Sequence, residues 1–441
     1  MEQKYLCDNV FEQIKDFEHR NLTEQQNLLI DKLILNEELK EHYKNNGLCK
    51  ECKQLNTGYY EWCKACNAKH FQQNFENWTS GNDDIDKFIQ DTQLSTTFSY
   101  KVLEWIPYDK FYNIEYIAKG GFGKVYKANW IDGYIHKWSN KNQNWERPCH
   151  NMFVALKSLN NSKNVTLEFI NEIMVHHKLG NFNFSIIRLY GITQDPNTKN
   201  YMMVLDHAEN GSLRSYLNKS YNELSWKTKI NYLYWIVCGL NEIHQIGLIH
   251  RDLHIGNILH TGFAHITDVG LCKPVDYNAL ENTKKNVYGV LPYIAPEILR
   301  GQNYTKAADI YSFGIIMYET ISGLPPYHDV SHEINLGVNI CQGLRPKFNI
   351  KVPQKIVRLI KRCLDANPLK RPSASEVKDI LCRCRFLNFN NLPEPKNSDD
   401  YYEQYENIIS AEYSENLQID ISQLKINVDD QNNESKIKEN F

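Results

Sequence analysis

The sequence lacks a long hydrophobic run. No stretch of its 441 residues reaches the roughly 18 consecutive apolar residues that suggest a membrane-spanning helix. The first residues, Met1 to Cys7, contain no apolar core of a signal peptide. These absences predict a protein of a reducing compartment, the cytoplasm with the nucleus as the alternative, that makes no membrane contact.

An excess of charge of either sign is also missing. The chain has 50 lysines and arginines against 53 aspartates and glutamates, which gives a formal net charge of -3. This balance provides no general attraction to nucleic acid or to an anionic membrane, and we expect no nucleic-acid partner. The composition, 42% hydrophobic and 23% charged, is that of an ordinary globular protein with enough apolar side chains for a core.

Four of the 12 cysteines form two Cys-x-x-Cys pairs, Cys49 with Cys52 and Cys63 with Cys66. This spacing allows four thiolates on two tight turns to reach one tetrahedral zinc ion. So small a segment buries too little apolar surface to fold alone, whereas structural zinc contributes on the order of 10 kcal/mol. The pattern predicts a zinc knuckle over residues 48–70; the alternative is four free thiols on a linker.

Residues 1–47 are predicted to form a helical segment. Thr23 followed by Gln26 has the form of a capping box, an aliphatic stripe follows, and Gly47 can end the helix. This stripe can pack on the knuckle, on the following domain or on another chain, and in the last case it would be a docking site. The stripe residues are Leu28, Leu29, Ile30, Leu33, Ile34, Leu35 and Leu39.

A glycine-rich turn lies between two segments rich in aliphatic and aromatic residues, 114–117 and 125–128. A glycine hairpin can approach phosphates closely and face them with its amides, whereas a dinucleotide fingerprint would need the glycines to open a helix. An ordinary hairpin turn is the alternative. The turn contains Ala118, Gly120, Gly121 and Gly123 and is followed by Val125.

Residues 250–257 read His-Arg-Asp-Leu-His-Ile-Gly-Asn. Asp252 and Asn257 place a proton acceptor and a magnesium ligand on one short loop, as phosphoryl transfer requires. Downstream, Asp268 supplies a second carboxylate, two residues before the flexible Gly270. A short polar loop of this kind can also arise by chance, so the interpretation depends on the motifs around it.

Further motifs accompany the glycine turn and the polar loop: Val154-Ala155-Leu156-Lys157, Ala295-Pro296-Glu297, Asp309 and Arg371. Together, these motifs stand in the order that eukaryotic protein kinases show. The chain resembles that family from residue 114 to residue 388. The resemblance implies an α+β, two-lobed protein kinase fold at 111–388. Its small lobe would be five-stranded with one helix, its large lobe would be mainly helical, and a helical and zinc-knuckle extension would precede it.

The resemblance also implies roles for individual residues. It pairs Lys157 with Glu172 to orient ATP, assigns Mg²⁺ to Asn257 and Asp268, and makes Asp252 the acceptor of the proton from a substrate hydroxyl. Catalysis would then consist of placement and charge stabilisation. Further nucleotide contacts would come from the glycine turn, a neighbouring strand and the hinge: Ala118, Gly120, Gly121, Gly123, Val125, Ala155, Leu205, Asp206 and Ala208.

The subfamily is indicated by two replacements. His254 and Val290 stand where serine/threonine kinases use a Lys and a Thr together, and the insert typical of tyrosine kinases is absent. The chain is therefore similar to tyrosine-kinase-like serine/threonine kinases, and to the expanded kinase family of arbuscular mycorrhizal fungi. Transfer to serine and threonine, with tyrosine as a further acceptor, is expected on protein substrates. The alternative is a pseudokinase scaffold that acts through the zinc knuckle and the tail.

Two features predict regulation. Arg251 commonly pairs with a phosphorylated loop residue in such kinases, and Thr283 is the sole aliphatic hydroxyl between residues 271 and 291, so we predict activation by phosphorylation of Thr283. An unmodified loop that is already ordered is the alternative.

In the kinase family, a column of apolar side chains keeps the active enzyme aligned. In this chain the column would contain a polar His and a small Val, and we expect it to pack loosely. Its members would be Leu189, His176, Val269 and His250.

Three segments lie outside these motifs. Residues 71–110 are predicted to be a linker with a short helix around Ile85, in which Trp105 docks against the small lobe. Residues 131–151 predict an elaborated hairpin, favoured over nucleic-acid binding because no sustained basic run accompanies the aromatic residues. Residues 389–441 are acidic and poor in apolar residues, and predict a mostly disordered tail.

Overall fold

The computed structural model describes residues 6–56, 62–120, 123–159, 162, 167–179, 185–274, 286–287, 289–328, 334–348, 350–386 and 419–420. The chain divides into two compact units. The first consists of Met1–Ala118, Gly123–Ile170 and Leu189–Asp206. The second consists of Lys119–Phe122, Asn171–Arg188 and His207–Phe441.

The first unit begins with the helices α1 (Asp8–Ile14), α2 (Glu24–Leu33) and α3 (Glu37–Asn46). The predicted capping box is confirmed, because Thr23 and Gln26 exchange side-chain hydrogen bonds to each other's backbone. The prediction of one continuous helix was wrong. The backbone becomes extended at Ile34, and Asn36 starts a new helix by accepting a hydrogen bond from the N–H of Leu39 at 3.0 Å.

The apolar faces of these helices pack on one another and on the start of the knuckle. Gly47 ends α3 with a φ of 69°, and its N–H donates to the carbonyl of Tyr43 at 2.8 Å. The aliphatic stripe is therefore partly buried within the first unit itself. The buried residues of this cluster are Leu6, Ile14, Ile30, Ile34, Tyr43 and Leu55.

Two more helices, α4 (Lys64–Gln72) and α5 (Asp83–Ser95), follow the knuckle. The side chain of Asn82 caps α5 by accepting from two backbone N–H groups, as capping asparagines commonly do. Ile85 and Ile89 lie on the buried face of α5. The short helix predicted for the linker is confirmed.

The strands of the first unit are β1 (Glu104–Trp105), β2 (Phe111–Gly120), β3 (Gly123–Trp130), β4 (Lys137–Ser139), β5 (Asn144–Glu146), β6 (Met152–Leu159), β7 (Leu189–Gln194) and β8 (Tyr201–Asp206). Six of them form one sheet in the order β1-β7-β8-β6-β3-β2. The expected five strands are present, and β1 adds a sixth from the linker by pairing in parallel with β7. A side chain at Gly191 would collide with the carbonyl of Glu104, so this glycine permits the pairing. Trp105 docks on the sheet as predicted, with its ring 6.3 Å from that of Tyr201.

The predicted hairpin at 131–151 is confirmed as β4 paired with β5, with Trp138 opposite Trp145. Both tryptophans contact the region of the knuckle. The Trp145 ring stacks 4.4 Å from Phe71, and the Trp138 ring stacks 3.8 Å from His70. The hairpin therefore packs on helix α4, which begins at the second cysteine pair.

The other helices are α6 (Leu167–Leu179), α7 (Leu213–Ser220), α8 (Trp226–Gln245), α9 (Pro296–Leu299), α10 (Lys306–Ser322), α11 (Ile334–Cys341), α12 (Gln354–Cys363) and α13 (Ala374–Cys384). Helices α8 and α10 lie at the centre of the core of the second unit. Glu297 and Arg371, both members of the motif series, pair through two hydrogen bonds of 2.6 and 2.7 Å. Among the described helices, none has the length and apolar character that crossing a membrane requires.

The short strands of the second unit are β9 (Leu248–Ile249), β10 (Ile258–His260), β11 (Ala264–Ile266), β12 (Lys273–Pro274), β13 (Asn286–Val287) and β14 (Ile419–Asp420). Strands β13 and β14 pair in antiparallel orientation. The predicted tail is described only at β14, and its other residues lie outside the described part of the chain.

Candidate active site

The loop from His250 to Asn257 is held by a buried carboxylate. Asp309, in the first turn of α10, accepts hydrogen bonds from the backbone N–H groups of His250 at 2.8 Å and Arg251 at 3.0 Å. His244 on α8 contacts the same carboxylate at 2.9 Å. Burial acts to raise the pKa of Asp309, but the hydrogen bonds from His244 and the backbone keep the pKa below its usual value. A charged aspartate thus fixes the start of the loop.

Asp252 and Asn257 meet inside this loop. The Nδ2 group of Asn257 donates to the backbone carbonyl of Asp252 at 3.0 Å and to its Oδ2 at 3.2 Å. Both residues are buried. The loop can adopt this shape because Arg251 has a φ of 72°, in the left-handed region that few residues other than glycine adopt. One amide group therefore fixes the orientation of the predicted proton acceptor.

The predicted magnesium ligand Asp268 follows β11. The backbone N–H of its neighbour Thr267 donates to the carbonyl of Asn257 at 3.0 Å, so the chain segments that carry the two predicted ligands run side by side. Asp268 has a φ of 59°, a strained conformation of the kind that is concentrated at functional sites.

Glu172 on α6 lies against the same segment. A Cβ atom at Gly270 would be 2.7 Å from Oε2 of Glu172, so only glycine allows this approach. Glu172 is buried, and so are all four residues of the predicted column, Leu189, His176, Val269 and His250. The second unit thus brings four of the predicted catalytic residues onto neighbouring segments.

His254 occupies the same loop, two residues after Asp252. Its Nδ1 accepts a hydrogen bond from the N–H of Gly256 at 3.1 Å, and its Nε2 lies 3.8 Å from Oδ1 of Asp252. Burial, assisted by repulsion from His250, lowers the pKa of His254 to about 4. The imidazole is therefore neutral at physiological pH, unlike the lysine that it replaces.

In the first unit, one face of the sheet carries four of the predicted nucleotide-binding residues. Lys157 lies opposite Val125 of β3 and Met203 of β8, and Ala155 lies opposite Leu205 of β8. Residues that pair directly, or that stand two apart on one strand, share a face of a sheet. Val125, Ala155, Lys157 and Leu205 therefore point to the same side, and Lys157 is only 8% exposed.

The predicted glycine turn joins β2 to β3, since β2 ends at Gly120 and β3 begins at Gly123. Ala118 lies within β2, and Gly121 lies outside the described residues. The turn is followed by a strand, as expected for a phosphate-covering hairpin and unlike a dinucleotide fingerprint, in which a helix follows.

The predicted hinge comes directly after β8. Asp206 is the last residue of that strand. The carbonyl of Ala208 accepts a hydrogen bond from the N–H of Gly211 at 3.0 Å, which forms a turn before α7. The backbone groups expected to meet adenine thus belong to a short, ordered connection.

These placements can be compared with known proteins. The family model described as protein tyrosine and serine/threonine kinase matches residues 112–381, which is more than half of the chain. The chain belongs to this family. Membership implies ATP and Mg²⁺ as the substrate and the metal of the site.

Among the curated relatives of this kinase, a probable serine/threonine-protein kinase of Dictyostelium discoideum is 29% identical over 62% of the chain and 15% of the relative. A probable LIM domain-containing serine/threonine-protein kinase of the same organism is 30% identical, over 60% of the chain and 38% of the relative. A tyrosine-protein kinase of Girardia tigrina is 26% identical, over 58% of the chain and 50% of the relative. The chain thus spans half or less of the length of these relatives. Its resemblance to the expanded fungal family stays a prediction.

Arg251 of this kinase makes a contact that the sequence did not suggest. Its guanidinium group lies 4.7 Å from the centre of the Tyr304 ring, within the range of a cation–π interaction. The predicted phosphorylation site Thr283 lies outside the described residues, so its pairing with Arg251 stays a prediction.

A second contact network was also missed. Glu319 is fully buried on α10, pairs with Arg214 and accepts a hydrogen bond from the hydroxyl of Tyr293. Burial raises the pKa of Tyr293 to about 12, so the hydroxyl keeps its proton. The sequence signal was Glu319 itself, the one charged residue in the mostly apolar run from Phe313 to Ile321, which calls for a buried partner.

The four predicted zinc ligands come together in the first unit of the kinase. The sulfur atoms of Cys49, Cys52, Cys63 and Cys66 all lie within 4.8 Å of one another. Two of the Sγ–Sγ distances are 3.7 Å. Four sulfurs bound to one tetrahedral zinc at about 2.3 Å lie about 3.8 Å apart, so the cluster fits this ion. A hydrogen bond from Cys49 holds the pKa of the Cys63 thiol below its usual value.

Proposed function

We propose that this chain is a magnesium-dependent protein kinase that transfers the γ-phosphate of ATP to serine and threonine hydroxyls of protein substrates. The observation that carries the proposal is the pair Asp252 and Asn257, in which one amide fixes the carboxylate. A carboxylate held in one orientation can accept a hydrogen bond from a substrate hydroxyl and then its proton.

The residues expected to hold Mg²⁺ have suitable chemistry. Asp268 and Asn257 supply oxygen atoms, which Mg²⁺ prefers as ligands. Because Asn257 uses its Nδ2 to bind Asp252, its side-chain oxygen is turned away from that residue and is available for a cation. Mg²⁺ held by these two residues would neutralise the negative charge of the nucleotide phosphates.

Lys157 and Glu172 complete the proposed machinery. Lys157 is buried on the sheet face that also carries Val125, Ala155 and Leu205, and its ammonium group would orient the inner phosphates of ATP. Glu172 would provide its counter-charge. Because every required chemical group is present, the enzyme is favoured over the scaffold as the function of this chain.

Phosphoamino-acid analysis tests the proposal. The purified chain is incubated with radiolabelled ATP, Mg²⁺ and a mixture of generic protein substrates, with Asp252→Asn as the paired inactive variant. We expect phosphoserine and phosphothreonine with the wild type and almost no label with the variant. Phosphotyrosine alone would overturn the serine/threonine assignment, and an unlabelled wild-type reaction would support the scaffold.

A structural zinc ion in the four-cysteine cluster is part of the proposal. The spacing of the four sulfurs supports it. The name of one relative includes a LIM domain, and LIM domains bind zinc through cysteine-rich knuckles. Elemental analysis of the purified protein should give about one zinc per chain; protein that is pure, folded and free of metal would contradict this.

We also propose a docking partner for the N-terminal helices and a reducing cellular compartment. Leu28 is 58% exposed and Leu35 is 84% exposed, so part of the aliphatic stripe is available for contact. None of the 12 cysteines, all of which the structure describes, forms a disulfide, which suits a reducing compartment such as the cytoplasm. A Leu28→Ser/Leu35→Ser variant should lose partners captured by crosslinking, and imaging of a tagged chain should place it in the cytoplasm.

A further inference from the structure

The imidazole of His254 is fixed by the turn that follows it. His254 caps this turn, and its Nδ1 accepts the backbone N–H of Gly256 at 3.1 Å. A Cβ atom at Gly256 would lie 2.8 Å from Cε1 of the ring. Glycine is therefore required at 256 for the ring to occupy this position.

This contact determines which nitrogen carries the proton. A ring nitrogen that accepts a hydrogen bond has no proton, so the imidazole must be protonated at Nε2. The Nε2 atom is buried and makes no hydrogen bond to any residue that the structure describes. It lies 3.8 Å from Oδ1 of Asp252. His254 thus directs a buried N–H group at the predicted catalytic carboxylate.

The two carboxylate oxygens of Asp252 face different donors. Oδ2 receives the amide of Asn257 at 3.2 Å, and Oδ1 faces His254. The backbone at Gly289 also passes close to Oδ1, since a Cβ atom there would lie 3.4 Å from it. The next residue, Val290, has no hydroxyl group that could donate to the carboxylate.

The geometry points to His254 as a positioning residue that donates its Nε2 proton to Oδ1 of Asp252 when the substrates bind. Asn257 and His254 then hold the carboxylate from both sides while the substrate hydroxyl approaches. The contact must shorten from 3.8 Å to about 3.2 Å. Hydrogen bonds at catalytic sites commonly tighten in this way only in the substrate complex. This inference rests on the proposed kinase function, because it concerns the same transfer.

Two substitutions separate the functions of the two ring nitrogens. In His254→Asn, the short amide can still accept from Gly256, but no donor reaches Asp252. In His254→Gln, the longer amide reaches the position of Nε2, and the contact with Gly256 is lost. The inference predicts that Asn lowers kcat about 10- to 100-fold with little change in the KM for ATP, and that Gln loses much less. His136→Asn, at an exposed histidine of the β4–β5 hairpin, is the matched control.

The reverse order, with Asn active and Gln impaired, would show that His254 serves only as a cap and would overturn the inference. Equal activity of both variants and the wild type would overturn it as well. If both variants are impaired, the decision comes from repeating His254→Asn in the Asp252→Asn background. A positioning residue loses its effect there, whereas an undiminished effect would mean that His254 acts elsewhere, for example on the phosphate.

The failure of this inference can be distinguished from failure of the proposed function. A wild-type protein that transfers no phosphate contradicts the kinase assignment itself. An active wild type with an unaffected His254→Asn variant contradicts only the positioning role. Melting curves of all variants identify any loss of rate that is caused by unfolding.

Discussion

The catalytic loop and the four-cysteine cluster each bring several polar groups together on short turns, but they are stabilised in different ways. In the loop, the buried carboxylate of Asp309 receives hydrogen bonds from His244 and from two backbone N–H groups. In the cluster, four sulfurs face one another, and the proposed zinc ion would bind their thiolate forms. The loop is therefore expected to keep its shape without any metal, whereas the knuckle is expected to depend on the proposed zinc ion.

Substitution of Asp309 is expected to have the largest effect on phosphotransfer. Replacing it with Asn weakens the acceptor for the N–H groups of His250 and Arg251, and a buried donor without an acceptor costs about 1–3 kcal/mol. We expect phosphotransfer to fall at least about 100-fold, because displacement of a catalytic group has effects of this size. Steady-state kinetics measures it.

Asp379→Asn on the surface of α13 is the control for this substitution and should behave as wild type. An Asp309→Asn enzyme with normal kcat would show that the loop does not depend on this carboxylate.

The next effect concerns the metal. Cys52→Ser combined with Cys63→Ser should reduce the zinc content from about one per chain to none and make the N-terminal region more susceptible to proteolysis. The rate of phosphotransfer should fall only slightly if the knuckle is a docking element. Elemental analysis and limited proteolysis measure the two outcomes.

Cys7→Ser with Cys382→Ser is the matched control, since neither thiol belongs to the cluster. Unchanged proteolysis of the zinc-free variant would mean that the knuckle is stable without its ion, and the contrast with the catalytic loop would disappear.

The sequence predicted which residues form these two regions, but not what packs around them. The spacing of Asp252, Asn257 and Asp268 identified the loop because the motif is local and its chemistry needs those groups. The spacing of the cysteines indicated their cluster for the same reason. Neither pattern revealed that Trp138 and Trp145 pack near the knuckle, because that contact joins segments more than 60 residues apart.

Three further features of the structure were not predicted from the sequence, and each has a local cause. The break between α2 and α3 was missed because the aliphatic stripe continues through Ile34, while the cap formed by Asn36 decides where the next helix begins. The sixth strand was missed because two residues, Glu104 and Trp105, carry too little pattern to predict a strand. The role of Asp309 as an acceptor for the loop depends on side-chain geometry that no spacing reveals.

A smaller effect is expected for the contact between the hairpin and the knuckle. Trp145 stacks on Phe71 and lies 5.9 Å from Trp62, so Trp145→Ala removes a half-buried aromatic contact. We expect a loss of about 2 kcal/mol in the stability of the first unit, with zinc retained. Chemical denaturation followed by tryptophan fluorescence measures it, with Lys141→Ala on the exposed hairpin tip as the control. Unchanged stability would show that the hairpin is not a support for the knuckle.

The smallest effect is expected at Tyr304. Its ring faces the guanidinium of Arg251, and such a contact is worth about 0.5–2 kcal/mol. Tyr304→Leu should therefore lower kcat a few-fold, whereas Tyr304→Phe keeps the ring and should be close to wild type. If both variants are equally active, Arg251 does not need the ring, and phosphorylation of Thr283 becomes the better candidate for holding it.

The central claim is that Asp252 and its loop perform phosphoryl transfer. Incorporation of radiolabel from Mg-ATP into the purified chain tests it most directly, with wild type, Asp252→Asn and Lys157→Met compared at equal concentration and with folding checked by circular dichroism. We expect the wild type to label itself and both variants to lose activity by a factor of about 100 or more while remaining folded. Equal labelling of wild type and Asp252→Asn would contradict it.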